Sequence, residues 1–408
     1  MFTHPHRIVR SGFYRGADLD FAARAMLGRA ATGLAEVGEV LVTLARIDKA
    51  SQWAGQWAST AGKAQRRAET SRAGGHLVSA EAGFRHAASY WAAAVDGLTT
   101  SADNERLLTA FRAHRSCWDA AVDCAQGAHL RVEIPYENTI LPGYLLRPDA
   151  SGARRPTLVM TNGSDGAISD MWGSGAAGAL ARGWNAFVYD GPGQQSMLFE
   201  HRTFFRADWE AVLTPVVDAL VGRDDVDASA LLGYGISQGG YWLPRALAFE
   251  HRLVAAVADP GVVDVSASWE AALNDRMRSM LDSGDRKGFN KYLGYAARIP
   301  SIRATLTFRG RPYGDHDWFG LYEQVRRQRI DAELAAGITT PLLITSPEGE
   351  QFWPGQSRRL ADLLPGHAEV VEFSAADGAD LHCQPMGRTL TDVAMFDWFD
   401  RQLARTGN

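Results

Sequence analysis

The sequence predicts an α/β fold: a mostly parallel, twisted sheet with helices on both faces, an N-terminal all-α domain and a helical cap insertion. Residues 17–122 carry apolar residues at helical spacing and almost no strand pattern. After Gly127, short apolar runs alternate with helix-like segments, which is the pattern of a parallel sheet with crossover helices. One stretch, residues 265–337, interrupts this alternation.

The N-terminal domain is assigned to residues 1–126 and the α/β domain to residues 127–408. A chain of 408 residues fits two or three structural units. Within the first domain, apolar residues recur three or four positions apart in successive segments. They predict four or five helices, the last of which runs from Asn104 to about Ala121.

The α/β domain opens with a predicted antiparallel hairpin over residues 130–148. Six apolar runs typical of strands buried on both faces follow, starting at Thr157, Asn185, Ala230, Leu253, Pro341 and Ala368. We interpret residues 265–337 as a cap inserted between two of these strands. The aromatic side chains of the cap either line a substrate pocket or hold the cap on the core: Trp269, Tyr292, Tyr295, Tyr313 and Trp318.

Composition and charge exclude several classes of protein. A hydrophobic fraction of 46%, a charged fraction of 22% and a net charge of −5 fit an ordinary globular chain and give no reason to expect nucleic acid. No apolar run is long enough to span a bilayer, and residues 1–7 lack the pattern of a signal peptide. The three cysteines are an odd number without metal-ligand spacing, which favours a reducing cytoplasm.

We therefore expect a cytoplasmic protein that needs no cofactor and no metal. Its expected partner is a small-molecule substrate, and neither nucleic acid nor a membrane is expected. The sequence is compatible with a homodimer.

The main chemical signal is Gly235-Ile236-Ser237-Gln238-Gly239. This Gly-x-Ser-x-Gly motif directly follows a predicted buried strand and opens a helix, which is the setting of a nucleophile elbow. The turn is so tight that the residues flanking the serine must be small, and the serine lies at the positive end of the helix. The sequence therefore predicts Ser237 as a nucleophile rather than part of a plain glycine-rich turn.

A serine needs a general base, and behind such an elbow the chain order is serine, acid, histidine. His382 follows the last predicted strand and precedes the final helix, so we predict it as the base. His367 is the competitor, but it lies before that strand, in a turn after Pro365-Gly366.

The acid should lie in the loop that follows the predicted strand at 342–345. Glu348 and Glu350 are both candidates there, and Glu350 is favoured by its place shortly before the Gln356-Ser357 helix start. A carboxylate at this point would orient the imidazole and stabilise its protonated form. Asp259 and Asp264, one strand earlier, remain alternatives.

The tetrahedral intermediate needs two N–H donors. We expect one from the backbone of Gln238 and one from the glycine-rich loop after the strand at 157–160, with Ser164 as first choice and Gly163 as second. Asp165 would then face the pocket as a substrate-binding residue, although a turn or helix-cap role is equally compatible with its position.

The order of several motifs resembles a branch of the α/β-hydrolases. They include Ile134-Pro-Tyr, Asn162-Gly-Ser-Asp165, Asp190-Gly-Pro-Gly-Gln194, Asp208-Trp-Glu and Gly235-Ile-Ser-Gln-Gly-Gly-Tyr241. This is the branch of dihydroxypseudooxynicotine hydrolase, the fungal pigment-pathway enzyme that shortens a polyketide, and the fermentation-respiration switch protein. The segment with Trp53, Trp57 and Phe84-Arg-His-Ala-Ala-Ser-Tyr90 is similar to the N-terminal domain of that branch.

The resemblance implies a serine hydrolase whose helical domain packs over the active site and whose triad is Ser237, Glu350 and His382. Relatives often carry Asp where this chain has Glu350, and commonly glycine where it has Gln195. An acid equivalent to Asp165 is associated with the substrate in a relative.

Relatives in this branch cleave a carbon–carbon bond next to a ketone, or an ester-like bond. A small aromatic or polyketide-like substrate, as in secondary metabolism, is expected. The alternatives are an acyltransferase or cyclase in natural-product biosynthesis, a peptidase acting on short peptides, and a non-catalytic binding protein on a hydrolase shell.

Overall fold

The computed structural model describes residues 12–100 and 104–406, so the N-terminal segment examined for a signal peptide lies outside the described residues. Five α-helices in the described residues precede the sheet: α1 Ala17–Gly28, α2 Val37–Leu44, α3 Trp53–Ala73, α4 Leu77–Asp96 and α5 Asn104–Cys124. Helices α3 and α4 pack closely because the buried face of each is built from alanine and aromatic residues.

The sheet has eight strands: β1 His129–Tyr136, β2 Thr139–Leu146, β3 Arg155–Thr161, β4 Asn185–Tyr189, β5 Val226–Ile236, β6 Ala255–Asp259, β7 Leu342–Pro347 and β8 Ala368–Phe373. Their order is β1-β2-β4-β3-β5-β6-β7-β8. Strand β2 runs antiparallel to β1 and β4, and the pairs from β4 to β8 are parallel. The expected mostly parallel sheet is confirmed.

The helices that follow β3 to β5 are α6 Ala177–Ala181, α7 Gln195–Phe199, α8 Glu210–Val221 and α9 Gly239–Leu247. Between β6 and β7 lie α10 Ala267–Glu270, α11 Asp275–Asp282, α12 Arg286–Ala296, α13 Pro300–Gly310, α14 Trp318–Arg326 and α15 Ala332–Ala335. These six helices lie within residues 265–337, the segment expected to be a cap, and are called the cap below. The last two helices are α16 Gln356–Asp362 and α17 Arg388–Thr406.

Each face of the sheet contributes to a different core. Leu158 and Met160 of β3 pack in a cluster that contains the N-terminal helices and α17. Val159, between them, points to the opposite face and joins a cluster with α8, α9 and the cap. The helical region and the cap therefore extend the two cores of the sheet. Among the described residues, no helix combines the length and apolar character needed to cross a membrane.

Candidate active site

Ser237 lies in a sharp turn between β5 and α9, with a left-handed φ of 56°. A residue other than glycine held in this region stores strain of order 1–3 kcal/mol, so the surrounding structure must impose the conformation. The N–H of Ser237 donates to the carbonyl of Asp259 at 2.7 Å. A Cβ on Gly239 would lie 2.5 Å from the carbonyl oxygen of Thr161, and one on Gly235 would clash with the carbonyl of Gly239. The two glycines of the motif are thus required by close backbone packing.

A continuous hydrogen-bond chain joins Ser237, His382 and Glu350. The Nε2 atom of His382 lies 2.9 Å from Ser237 Oγ, and its Nδ1 atom lies 2.8 Å and 3.0 Å from the two oxygens of Glu350. His382 is 5% exposed, and the ring of Phe352 packs edge-on against its imidazole at 4.7 Å between centroids. The three residues selected from the sequence order are therefore in contact.

Glu350 is held in its charged form. Burial opposes ionisation, but the hydrogen bond and charge of His382, with N–H groups of Phe352 and Trp353, outweigh it and lower the pKa of Glu350. The Oε1 atom accepts from these N–H groups at 2.9 Å and 3.2 Å. The local loop thus fixes the carboxylate before it meets the histidine.

The competing candidates have other roles in the structure. Glu348 is exposed and accepts from the N–H of Ala375 at 2.8 Å. Asp264 accepts from the N–H and hydroxyl of Ser266, at 2.9 Å and 2.6 Å. His367 lies exposed in the turn after Gly366.

Asp259 lies in a buried ion pair beneath the nucleophile. Its carboxylate accepts from Arg388, Tyr234 and Thr345 at 2.7, 2.7 and 2.6 Å. Burial opposes the charge, but Arg388 and these hydrogen bonds prevail and lower the pKa of Asp259. The carboxylate is fully used within the core, while the backbone carbonyl holds the elbow.

The loop after β3 touches the serine directly. A Cβ on Gly163 would lie 2.8 Å from the Cβ of Ser237. The N–H of Gly163 donates to the side-chain oxygen of Asn162 at 2.8 Å. The N–H groups of Ser164 and Gln238, in contrast, have no hydrogen-bond acceptor among the described residues. This difference favours Ser164 over Gly163 as the second oxyanion donor.

Two glutamines that the sequence analysis left without a role brace this loop. The Nε2 atom of Gln194 donates to the carbonyls of Asn162 and Gly163, both at 2.9 Å. Gln195 adopts a φ of 21°, a backbone conformation that favours glycine. Its Nε2 atom donates to the backbone carbonyl of Asp165 at 3.1 Å. The sequence feature that could have drawn attention to both glutamines is the Gly-Pro-Gly-Gln run after β4.

Asp165 lies in the loop after β3, next to Ser164. The residue keeps solvent-accessible surface, but protein surrounds its carboxyl group on most sides. This burial raises the pKa of Asp165. The charges of His382 and Arg309 oppose this rise, so Asp165 lies within electrostatic range of both the triad and the cap.

Asp96, in the helical region, is a second carboxyl group whose pKa is raised, after Asp165. The sequence analysis did not select it. Asp96 ends α4 and also keeps accessible surface, while burial raises its pKa to about 8 despite the opposing charge of Arg29. Asp165 and Asp170 add further negative potential. Arg29 is itself paired with Asp170 at 2.6 Å. A lone Asp at a helix end carries no sequence signal for such a position.

The cap contacts Gln238, the residue after the nucleophile, through polar groups. The side-chain Nε2 of Gln238 donates to Gln328 Oε1 at 2.8 Å and to the hydroxyl of Tyr313 at 3.4 Å. Trp269 and Tyr313 are buried, whereas Tyr295 is exposed on the cap surface. In the described part of the chain, no group of three or more His, Cys, Asp or Glu residues is arranged to hold a metal ion.

The chain is similar in sequence to several known hydrolases. No protein-family model matches the sequence. Hydrolase LUC6 from a Fusarium species is 34% identical over an alignment 424 positions long, which covers 97% of each chain. The 20-hydroxy-prefusarin hydrolase FUS2 of Gibberella moniliformis is 33% identical over 64% of this chain and 63% of that protein. The alpha/beta hydrolase psoB of Aspergillus fumigatus is 29% identical over 85% of this chain and 82% of its own.

Solved structures share the fold. The 2,6-dihydroxy-pseudo-oxynicotine hydrolase superposes with a TM-score of 0.70 at 19% identity, covering 91% of this chain and 94% of that one. AbyA5 superposes with a TM-score of 0.64 at 18% identity, covering 96% and 98%. Taken with the full-length similarity to LUC6, the sheet order and the helices around it show that the chain belongs to the α/β-hydrolases.

Proposed function

We propose that this α/β-hydrolase is a serine hydrolase that cleaves a small carbonyl substrate through an acyl-enzyme on Ser237. The observation that supports this most strongly is the hydrogen-bond chain from Glu350 through His382 to Ser237, at 2.8 Å and 2.9 Å. A serine at a strained turn, a base in contact and an acid orienting the base meet the geometric requirements for an activated nucleophile.

In the first half of the reaction, Ser237 Oγ attacks the substrate carbonyl carbon and its proton passes to Nε2 of His382. Glu350 stabilises the imidazolium and keeps its Nδ1 proton in place. The carbonyl oxygen becomes an oxyanion, for which the free N–H groups of Gln238 and Ser164 serve as donors.

Collapse of the tetrahedral intermediate breaks the bond to the leaving group, which takes up a proton. An alkoxide leaving from an ester receives it from His382. Water then attacks the acyl-serine with His382 as base, which releases a carboxylic acid and restores Ser237.

We propose carbon–carbon cleavage next to a ketone as the main activity, with ester cleavage as the alternative. A carbanion leaving group needs an acid close to the departing carbon, and burial favours the protonated form of Asp165, which lies within electrostatic range of His382. Asp165 gives its proton to the carbanion and then takes up the proton that His382 received from Ser237, which leaves His382 neutral to act as base in the second half. The names of FUS2 and of 2,6-dihydroxy-pseudo-oxynicotine hydrolase each refer to a small organic substrate. They support a small-molecule substrate here.

The test is to incubate the protein with β-diketones, aryl ketones and esters, and to follow products by mass. We expect a β-diketone to give one carboxylic acid and one ketone, and Ser237→Ala to give neither. Asp165→Asn should slow diketone cleavage more than ester cleavage. A product in which an added alcohol has captured the acyl group would indicate acyl transfer. Turnover of any of these three substrate classes by Ser237→Ala at the wild-type rate would contradict the proposal.

A further inference from the structure

Arg309 is held in one orientation on the wall of the cap. It lies near the end of α13, half-buried, and its Nη2 atom donates to Ser268 Oγ at 2.7 Å. Its Nη1 atom donates to the carbonyl of Ser268 at 3.2 Å, and the guanidinium stacks over the ring of Trp269 at 4.5 Å. These contacts fix the guanidinium but leave its charge without a counter-ion.

Several shielded guanidinium groups among the described residues have carboxylate partners. Four such pairs lie within ion-pair distance: Arg29 with Asp170, Arg115 with Asp190, Arg147 with Asp225, and Arg388 with Asp259. Among the described residues, Arg309 has no carboxylate within 4.0 Å. Burial accordingly lowers its pKa. An unpaired cation under protein cover is costly unless a ligand supplies the opposite charge.

A chain of side-chain contacts connects Arg309 to the residue that follows the nucleophile. Trp269, over which it stacks, packs edge-on against Tyr313 with centroids 5.7 Å apart. The Tyr313 hydroxyl accepts from Gln238, the residue after the nucleophile. The charges of Arg309 and Asp165 act on each other without forming an ion pair. The guanidinium is therefore linked through Trp269 and Tyr313 to Gln238, on the cap side of the nucleophile.

Tyr313 adds a second donor to this wall. Its hydroxyl oxygen accepts from the amides of Gln238 and Gln328, at 3.4 Å and 3.0 Å. Because that oxygen accepts from both amides, its own proton is not used in these two bonds and can be donated to a ligand. A guanidinium and a hydroxyl donor on one wall match a carboxylate or an enolate, which accepts several hydrogen bonds.

We propose that Arg309 is a specificity-determining residue that binds an anionic oxygen of the substrate, either a carboxylate or an enolate, beside the reacting carbonyl. The inference rests on the proposed function for the position of that carbonyl. It adds the class of substrate: an acyl compound that carries a negative charge on the cap side.

The test measures binding rather than turnover. Calorimetric titration of the full chain compares phenylacetate with phenylacetamide, and 4-hydroxycoumarin, an enolate at neutral pH, with coumarin. We expect the anionic member of at least one pair to bind about tenfold tighter or more, because a charge-assisted hydrogen bond contributes about 1.5–3 kcal/mol. The pair that shows the preference identifies a carboxylate or an enolate as the group bound.

Arg309→Met should abolish this preference, and Arg309→Lys should keep part of it. Neither should change binding of the neutral members. The matched control is Arg303→Met, on the same helix, where an exposed guanidinium donates to the carbonyl of Ala297 at 2.9 Å. It should bind all four probes as the wild type does. Circular dichroism checks that each variant is folded.

Equal binding of both members of both pairs by the wild type would overturn the inference, as would an unchanged preference in Arg309→Met. A fluorophosphonate probe on the same preparation separates this result from the proposed function. Labelling of Ser237 without an anion preference refutes the inference alone. An anion preference without labelling refutes the serine-hydrolase proposal and leaves Arg309 as an anion-binding residue.

Discussion

Glu348 and Glu350 lie two positions apart in one loop, yet only Glu350 contacts His382. We predict that Glu350→Gln lowers kcat by about 10²- to 10⁴-fold, because the imidazole loses its orienting charge while the fold is kept. Glu348→Gln is the matched control and should retain wild-type turnover. Steady-state rates of the two variants test whether Glu350 is the acid that orients His382. Near-normal turnover by Glu350→Gln would place the acid elsewhere.

Asp96 gives stability a dependence on pH whose sign can be stated. With a pKa of about 8 in the folded protein and about 3.9 in the unfolded chain, it holds a proton that unfolding releases. The free energy of unfolding should therefore fall as pH rises from about 4 to about 8.

We expect Asp96→Asn to remove this dependence. Between pH 5 and pH 8, the unfolding temperature of the variant should show a gain relative to that of the wild type. The surface variant Asp275→Asn should not show this gain. An unchanged difference between wild type and Asp96→Asn across this range would mean that Asp96 ionises normally in the folded state.

At the residue scale, what the sequence could predict was set by chain order. Ser237 and His382 could be selected because a serine elbow and a loop after the last strand have fixed places in the topology. Asp96 and Arg309 could not, since each is a single residue of a common type. Their significance depends on which side chains from distant segments surround them.

The elbow is the element on which the site depends most. Gly240 packs so closely that a Cβ would clash with the carbonyl oxygen of Pro260. We predict that Gly240→Ala lowers the unfolding temperature, because overpacking against backbone typically costs about 1–3 kcal/mol. Gly294→Ala in α12 is the control, since a Cβ there meets nothing within 4 Å. That substitution should be neutral or slightly stabilising in a helix. If Gly240→Ala unfolded at the wild-type temperature, the turn would be looser than described.

Strands and elbow were predictable at the element scale because their signals are local. Apolar runs and a Gly-x-Ser-x-Gly motif depend on neighbours in the chain. The bracing of the oxyanion loop depends on Gln194 and Gln195, which follow a different strand and reach it through side-chain hydrogen bonds. Periodicity contains no information on such contacts.

At the scale of the whole molecule, the Asp259–Arg388 pair links the centre of the sheet to α17. Asp259 is fully buried, and Arg388 also donates to Tyr234 at 2.8 Å. We predict that Arg388→Met destabilises the protein by about 3–5 kcal/mol, since it leaves an unpaired buried carboxylate. Denaturant titration measures this loss.

The double variant Asp259→Asn with Arg388→Met should recover part of that stability, because the uncompensated charge is then gone. A loss below about 1 kcal/mol in Arg388→Met alone would contradict a structural role for the pair.

The sequence predicted a helical region and a cap, and the resemblance placed the helical region over the active site, but the side chains that make these contacts could not be predicted. Amphipathic helices reveal an apolar face and leave its partner undefined. In the structure, Arg115 of α5 pairs with Asp190 after β4, and Tyr144 of β2 donates to Asp119 at 2.7 Å. These contacts dock the helical region beside the site, and Arg309 approaches from the cap. Substrate choice is thus expected to depend on both additions to the sheet.

The central claim is that Ser237 is the activated nucleophile, and covalent labelling tests it most directly. The protein is treated with a fluorophosphonate and the modified peptide is identified by mass spectrometry. We predict one label per chain, on Ser237, absent in Ser237→Ala and strongly slowed in Glu350→Gln. No label on the folded wild-type protein, or a label that persists in Ser237→Ala, would contradict the account.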